Sequence, residues 1–232
     1  MNKSKKSMKN REEETALINA HELARDGDFP GAIAVLKNLY IIDPSNHTYA
    51  FEYGHMLGQS SSGLSSLLKR EWHSECIKVF ESLCSNINML TLDQQWKYRR
   101  HYFLYSGQHL QNRNLGYSEI LRGNQLGYLS VGFGCLHHAL DLLSGNEEDK
   151  EALEFASEAK AAFEALLILE QDKPGRHLAY ALVLALLGAR EEAFGFTKTA
   201  AALLGIAPKD MKDHYKEIDR LLAISIRLLV KS

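Results

Sequence analysis

The sequence predicts an all-α protein assembled from short helical hairpins, and three observations predict it. Proline breaks helix interiors, and it occurs only at Pro30, Pro44, Pro174 and Pro208, so the long stretch between Pro44 and Pro174 has none. Apolar residues recur at helical spacing, first as Ala16, Ala20, Leu23 and Ala24, then as Ala32, Ile33, Leu36, Leu39 and Tyr40. Gly27-Asp28 punctuates the two runs and Asp43-Pro44 closes the second. Two short helices joined by a tight turn form a hairpin.

The next elements follow the same rhythm. Ala20, Ala32 and Pro44 stand at twelve-residue intervals, with Gly27-Asp28-Phe29 between the first two and Ile42-Asp43-Pro44-Ser45-Asn46 at the end. Residues 13–46 thereby resemble a tetratricopeptide repeat (TPR), a helix-turn-helix unit of about 34 residues, with Ala16 where that family usually has tryptophan. Tyr49, Ala50, Tyr53, Gly54 and Leu57 begin a second unit, the serine-rich segment Gly58–Ser66 lengthens it, and Cys76, Ile77, Phe80 and Leu83 form its partner helix. Ala181, Leu184, Gly188, Ala193 and Ala200 repeat the first spacing, and Ala159, Phe163 and Leu166 read as the second helix of a preceding unit. From Pro208 to Val230, Tyr215, Ile218, Leu222 and Leu229 form a stripe that Leu221, Ile224 and Leu228 widen. A repeat array needs its last apolar face covered, and this helix takes that capping role. The expected architecture is all-α, helix-turn-helix repeats stacked as a TPR-like α-solenoid with a C-terminal capping helix. Residues 1–11, carrying Lys3, Lys5, Lys6, Lys9 and Arg11, read as a flexible basic tail. Residues 12–232 read as the repeat domain, with a divergent, insert-like region at about 90–145.

Composition narrows the function. The 27 basic and 29 acidic residues leave a net charge of -2, which disfavours a surface built for nucleic acid. With 45 % hydrophobic and 24 % charged residues the chain is not disordered, and three cysteines make no disulfide framework but fit a reducing compartment. No apolar stretch follows the N-terminal charges, and Leu221–Val230 is about half the length a membrane span needs. The expectation is a cytoplasmic protein with no membrane partner.

Motifs that carry chemistry are missing. There is no phosphate-binding Gly-Lys-Ser/Thr loop, no Cys-x-x-Cys and no His-Glu-x-x-His, so neither cofactor nor metal is expected. Gly127, Gly132 and Gly134 fall within a helical run and favour close helix packing over a ligand cradle. His101 and His109 are eight residues apart and would align on one helix if Gly107 did not interrupt it, with no carboxylate at the spacing a helical di-metal site needs. The run Trp96–Tyr105 interleaves aromatics with Lys97, Arg99 and Arg100, a pattern that could stack on bases. An amphipathic helix with its aromatics in the core explains it better. Cys76 and Cys84 lack an activating signature, and no catalytic group is assigned: the chain is read as a non-enzyme.

The TPR resemblance implies a scaffold whose first helices line a groove for a protein or peptide partner. Mapped residue by residue, the groove-facing positions are Leu17, His21 and Arg25 in the first unit and Phe51, Glu52 and His55 in the second. Leu178, Leu182 and Ala185 occupy these places in the C-terminal unit. The lysine and asparagine clamp of one TPR subfamily is absent, because Leu17, His21 and Glu52 stand at its places. An apolar groove would suit a hydrophobic helix or extended segment, which points to an adaptor or a chaperone-like module. The alternative is a ligand-binding protein or enzyme with its site in the region 90–145, where seven of the sixteen glycines fall. The apolar faces also allow a homodimer.

Overall fold

The computed structural model describes residues 2–60, 66–85, 90–147 and 149–230, and every regular element among them is helical. Most of the serine-rich lengthening expected at Gly58–Ser66 lies at 61–65, outside the described residues. The chain divides into two compact units, Met1–Ser106 and Gly107–Ser232, within what the sequence reads as one domain from residue 12.

Unit 1 contains α1 (Asn2–Arg25), α2 (Phe29–Ile42), α3 (His47–Ser60), α4 (Ser66–Ser85) and α5 (Leu92–Tyr105), each packed on the next. Helix α1 runs through the basic segment expected as a tail. No glycine or proline lies between Asn2 and Arg25 to end it early. Asp28 caps α2 by accepting the Gly31 N–H at 3.0 Å, with Pro30 in the first turn, where its missing N–H costs no helical bond. Thr91 and Gln94 form a reciprocal capping box at the start of α5. Ala20, Ala32, Leu36, Tyr53, Leu57 and Phe80 are buried at the centre of this unit.

Unit 2 contains α6 (His109–Leu121), α7 (Gly127–Gly145), α8 (Glu151–Leu169), α9 (Pro174–Leu186), α10 (Arg190–Leu204) and α11 (Lys212–Val230). Successive helices from α6 to α10 pack in turn, and α11 lies against α9 and α10 as the expected cap. Its buried side is Ile218, Leu221, Leu222, Ile224 and Leu228. Leu229, expected on that stripe, is 53 % exposed near the end of the helix, whereas Leu222, two turns earlier on the same side, is buried.

One turn recurs. Gly27, Gly123 and Gly188 each end a helix in the left-handed conformation, at φ 87°, 84° and 78°. In each case the following N–H, from Asp28, Asn124 or Ala189, reaches back to the carbonyl five residues earlier, and the glycine N–H to the carbonyl three earlier. That is the Schellman closure, and it satisfies carbonyls that the helix end leaves free. Its presence between α6 and α7 shows that the region 90–145, expected as divergent, is built from helices and closes a hairpin in the same way.

Gly127, Gly132 and Gly134 of α7 are spent on packing, as expected, and so is Gly116 of α6. A Cβ on Gly116 would lie 2.6 Å from the Gly127 carbonyl oxygen, one on Gly134 would lie 2.8 Å from the His109 carbonyl, and one on Gly132 would press on the Phe163 ring. Backbone cannot move aside as a flexible side chain can. Gly116→Val should therefore cost unit 2 about 2–3 kcal/mol in urea unfolding. Gly195→Ala, in the interior of α10 with open space around it, should instead add about 0.5–1 kcal/mol. Equal effects of the two would contradict the packing seen here.

Candidate functional site

In unit 1 the first helices of successive hairpins, α1, α3 and α5, come together side by side. Glu13 of α1 accepts the Tyr49 hydroxyl of α3 at 2.8 Å, and His21 Nε2 lies 3.6 Å from the Glu52 carboxylate. Phe51 of α3 stacks on Tyr98 of α5, ring centroids 5.5 Å apart. These contacts bring His21 beside Glu52 and Phe51 beside Tyr98.

The expected partner-binding residues differ in what they offer. Leu17 is half-buried against the core, and His21 and Arg25 are exposed, the guanidinium Nε of Arg25 being 3.9 Å from Asp26. Glu52 and His55 are half-buried. Phe51 is only 6 % exposed and belongs to the core. Its ring stacks on His55 and Tyr98, meets Phe80 and His101 edge-on, and lies 3.8 Å from the Lys97 ammonium. The apolar groove expected here is therefore covered. α5 supplies the cover, and its lysine puts a charge where the sequence suggested an aromatic face. Lys97, four residues before His101, lies over this ring and is not among the residues the sequence places in the groove.

The histidines are held as neutral acceptors. Tyr105 donates its hydroxyl to His55 Nδ1 at 3.2 Å. His101, 4 % exposed, has Nδ1 at 2.7 Å from the Lys97 carbonyl and Nε2 at 3.1 Å from the Arg100 guanidinium. A guanidinium can only donate, so the tautomer consistent with both contacts carries its proton on Nδ1. Burial, then the positive charges of Arg100, Lys97 and His21, lower His55 from 6.5 to about 4. Burial and the same Arg100 hold His101 far below its ordinary value. Of the remaining aromatics of Trp96–Tyr105, Trp96 and Tyr98 are buried, and Tyr102 and Phe103 are half-buried.

In unit 2, Leu178 is half-buried, Leu182 packs on the core beside α11, and Ala185 is fully buried. His109 lies 3.1 Å from Asp141 through Nε2 and stacks on His137 at 5.3 Å. Helix α5 ends before Gly107 and α6 begins at His109, so His101 and His109 do not share a helix. Among the described residues, no three His, Cys, Asp or Glu side chains are grouped to hold a metal ion. Burial pushes the Cys76 thiol up to about 12 and Cys84 up to about 11, and Cys76 Sγ donates to the Gly54 carbonyl. Protonated buried thiols are poor nucleophiles. Glu158 is pushed up by burial, but hydrogen bonds from Arg113, Tyr117 and Cys135 outweigh this and hold it ionised. No described helix is long and apolar enough to cross a membrane.

No protein-family model matches the chain, and no curated protein matches it. Among solved structures, a TPR2AB-domain:pHSP90-complex of yeast Sti1 is similar at 11 % identity and a TM-score of 0.26, over 93 % of this chain and 99 % of that one. A likeness at that level adds nothing to the architecture already evident in the helices. The class is that of an all-α protein built from consecutive helical hairpins.

Two measurements follow. Between about pH 6.5 and about 4 the unfolded chain takes up protons at His55 that the folded chain refuses, so stability is whole above this window and falls on acidification through it. Urea unfolding should lose about 2 kcal/mol from this one group between pH 6.5 and 4.5, and His55→Gln should flatten the slope. Phe51→Ala should cost about 3–4 kcal/mol of stability, as removal of a buried aromatic does. An unchanged unfolding midpoint would return Phe51 to an open groove.

Proposed function

We propose that the protein is a non-catalytic adaptor that holds an extended segment of a partner protein along the α1–α3–α5 face of unit 1. The observation that carries this reading is the alignment of the first helices of successive hairpins, joined by His21–Glu52 and Phe51–Tyr98. Such a face offers a continuous line of side chains from three separate helices. His21, Arg25, Glu52, His55 and Lys97 would meet the segment, with Leu17 and Phe51 supporting them from beneath. Because the accessible groups are mostly polar and cationic, the segment suited to them is polar and carries carboxylates, rather than the hydrophobic helix the sequence alone suggests.

Tagged protein purified gently at low salt from its native host, then weighed as an intact complex, should carry one companion protein at fixed stoichiometry. Arg25→Glu should lower its recovery at least tenfold with the unfolding midpoint unchanged, and Lys97→Glu should lower it as far while also losing the contact with the Phe51 ring. A chain recovered alone, or a companion retained by both variants, would defeat this reading.

A further inference from the structure

Unit 2 carries a second surface that the adaptor reading does not use. The ends of α8 and α10 stand apart over the start of α9 and leave an open groove of about 660 Å³. Leu167 and Ile168 of α8 form one wall, Phe196 of α10 the other, and His177 and Tyr180 of α9 the floor. The floor is rigid: Tyr180 meets Phe196 edge-on at 4.7 Å, and His177 stacks on Phe196 at 5.7 Å while its Nε2 lies 2.8 Å from the Gln171 carbonyl. The wall is open, for Ile168 is 75 % exposed.

The same place in unit 1, between the ends of α2 and α4 over the start of α3, holds a groove of only about 220 Å³. Ala50, Val79 and Leu83 there are buried. The end of α2 also exposes Ile41 and Ile42, but they do not line that groove, so the greater width at this position belongs to unit 2.

Charge decides the occupant. Glu164 and Glu192 line the groove, and no cation does. Glu164 is partly satisfied by the Tyr180 hydroxyl at 2.9 Å and by Lys160 at 3.2 Å. Glu192 is exposed on the first turn of α10 and acts on Tyr180 through space. An apolar trough with two carboxylates suits side chains that are aliphatic along the stem and positive at the tip.

We infer that this groove is a docking site for an amphipathic segment of a partner protein, its aliphatic side chains against Ile168 and Phe196 and a lysine or arginine at Glu192 and Glu164. The contact is small beside a standard protein–protein interface, so it acts as a reversible peptide site.

The test uses the full chain and a fluorescent 14-residue helical peptide of leucine and lysine, with a counterpart in which glutamate replaces every lysine. Anisotropy should show saturable binding of the first peptide and none of the second. Ile168→Asp and Glu192→Lys should each weaken binding at least tenfold, with unchanged unfolding midpoints. Asp213→Lys, a charge reversal on exposed α11, should change it less than twofold, and Lys97→Glu should leave it unaltered. Failure of the lysine peptide to bind, equal binding of the glutamate peptide, or equal loss with Asp213→Lys would overturn the proposal. So would a dimer in sedimentation that Ile168→Asp dissociates, since a second copy would then fill the groove.

Discussion

The structure depends on how closely two helices can approach just before the chain turns. Gly27, Gly123 and Gly188 turn it in the left-handed conformation, and the residue seven positions earlier is Ala20, Gly116 or Ala181. Each of these small residues is buried at the crossing. The turn fixes where the second helix starts, and the small residue fixes how near it lies. Five residues after the turn, Ala32 and Ala193 are fully buried in the same way. A larger side chain at either place would push the helices apart and misdirect every later hairpin.

This constraint explains why some hairpins were legible and others were not. Ala20-Gly27-Ala32 and Ala181-Gly188-Ala193 carry identical spacing, and both hairpins follow from the sequence. Between α6 and α7 the first small residue is Gly116, and the next, Gly127, follows Gly123 by four residues rather than five. Glycine does the work of alanine there at even shorter range, yet it reads in a sequence as a loop former. The region 90–145 looked like an insertion for that reason alone.

The partner-binding face was legible in its position and not in its chemistry. Helical phase puts Phe51, Glu52 and His55 on the correct side of α3. It says nothing of what lies over them. Tyr98, His101 and Tyr105 come from a helix about fifty residues further on; the first two close over Phe51 and the third over His55. Periodicity within one helix reports a direction, whereas exposure is decided by neighbours remote in sequence. The same limit applies to the histidines, whose neutral state comes first from burial between α3 and α5 and then from the charge of Arg100.

The two units bury different materials, and their surfaces differ accordingly. Unit 1 fills its interior with rings, from Tyr53 and Phe80 to Tyr98, so its bulky side chains are consumed inside and polar groups are left on the α1–α3–α5 face. Along α8 of unit 2 the inner positions are Ala152, Ala156, Ala159 and Ala162, which seat the helix close to its neighbours, followed by Phe163 and Leu166, which fill the core near its end. The larger hydrophobes at the end of that helix, Ile168 and Leu169, are then on the solvent side. Of these two, Ile168 lines the groove beside Glu164 and Glu192, where an apolar side chain next to two carboxylates can select a partner segment that a lone surface hydrophobe cannot.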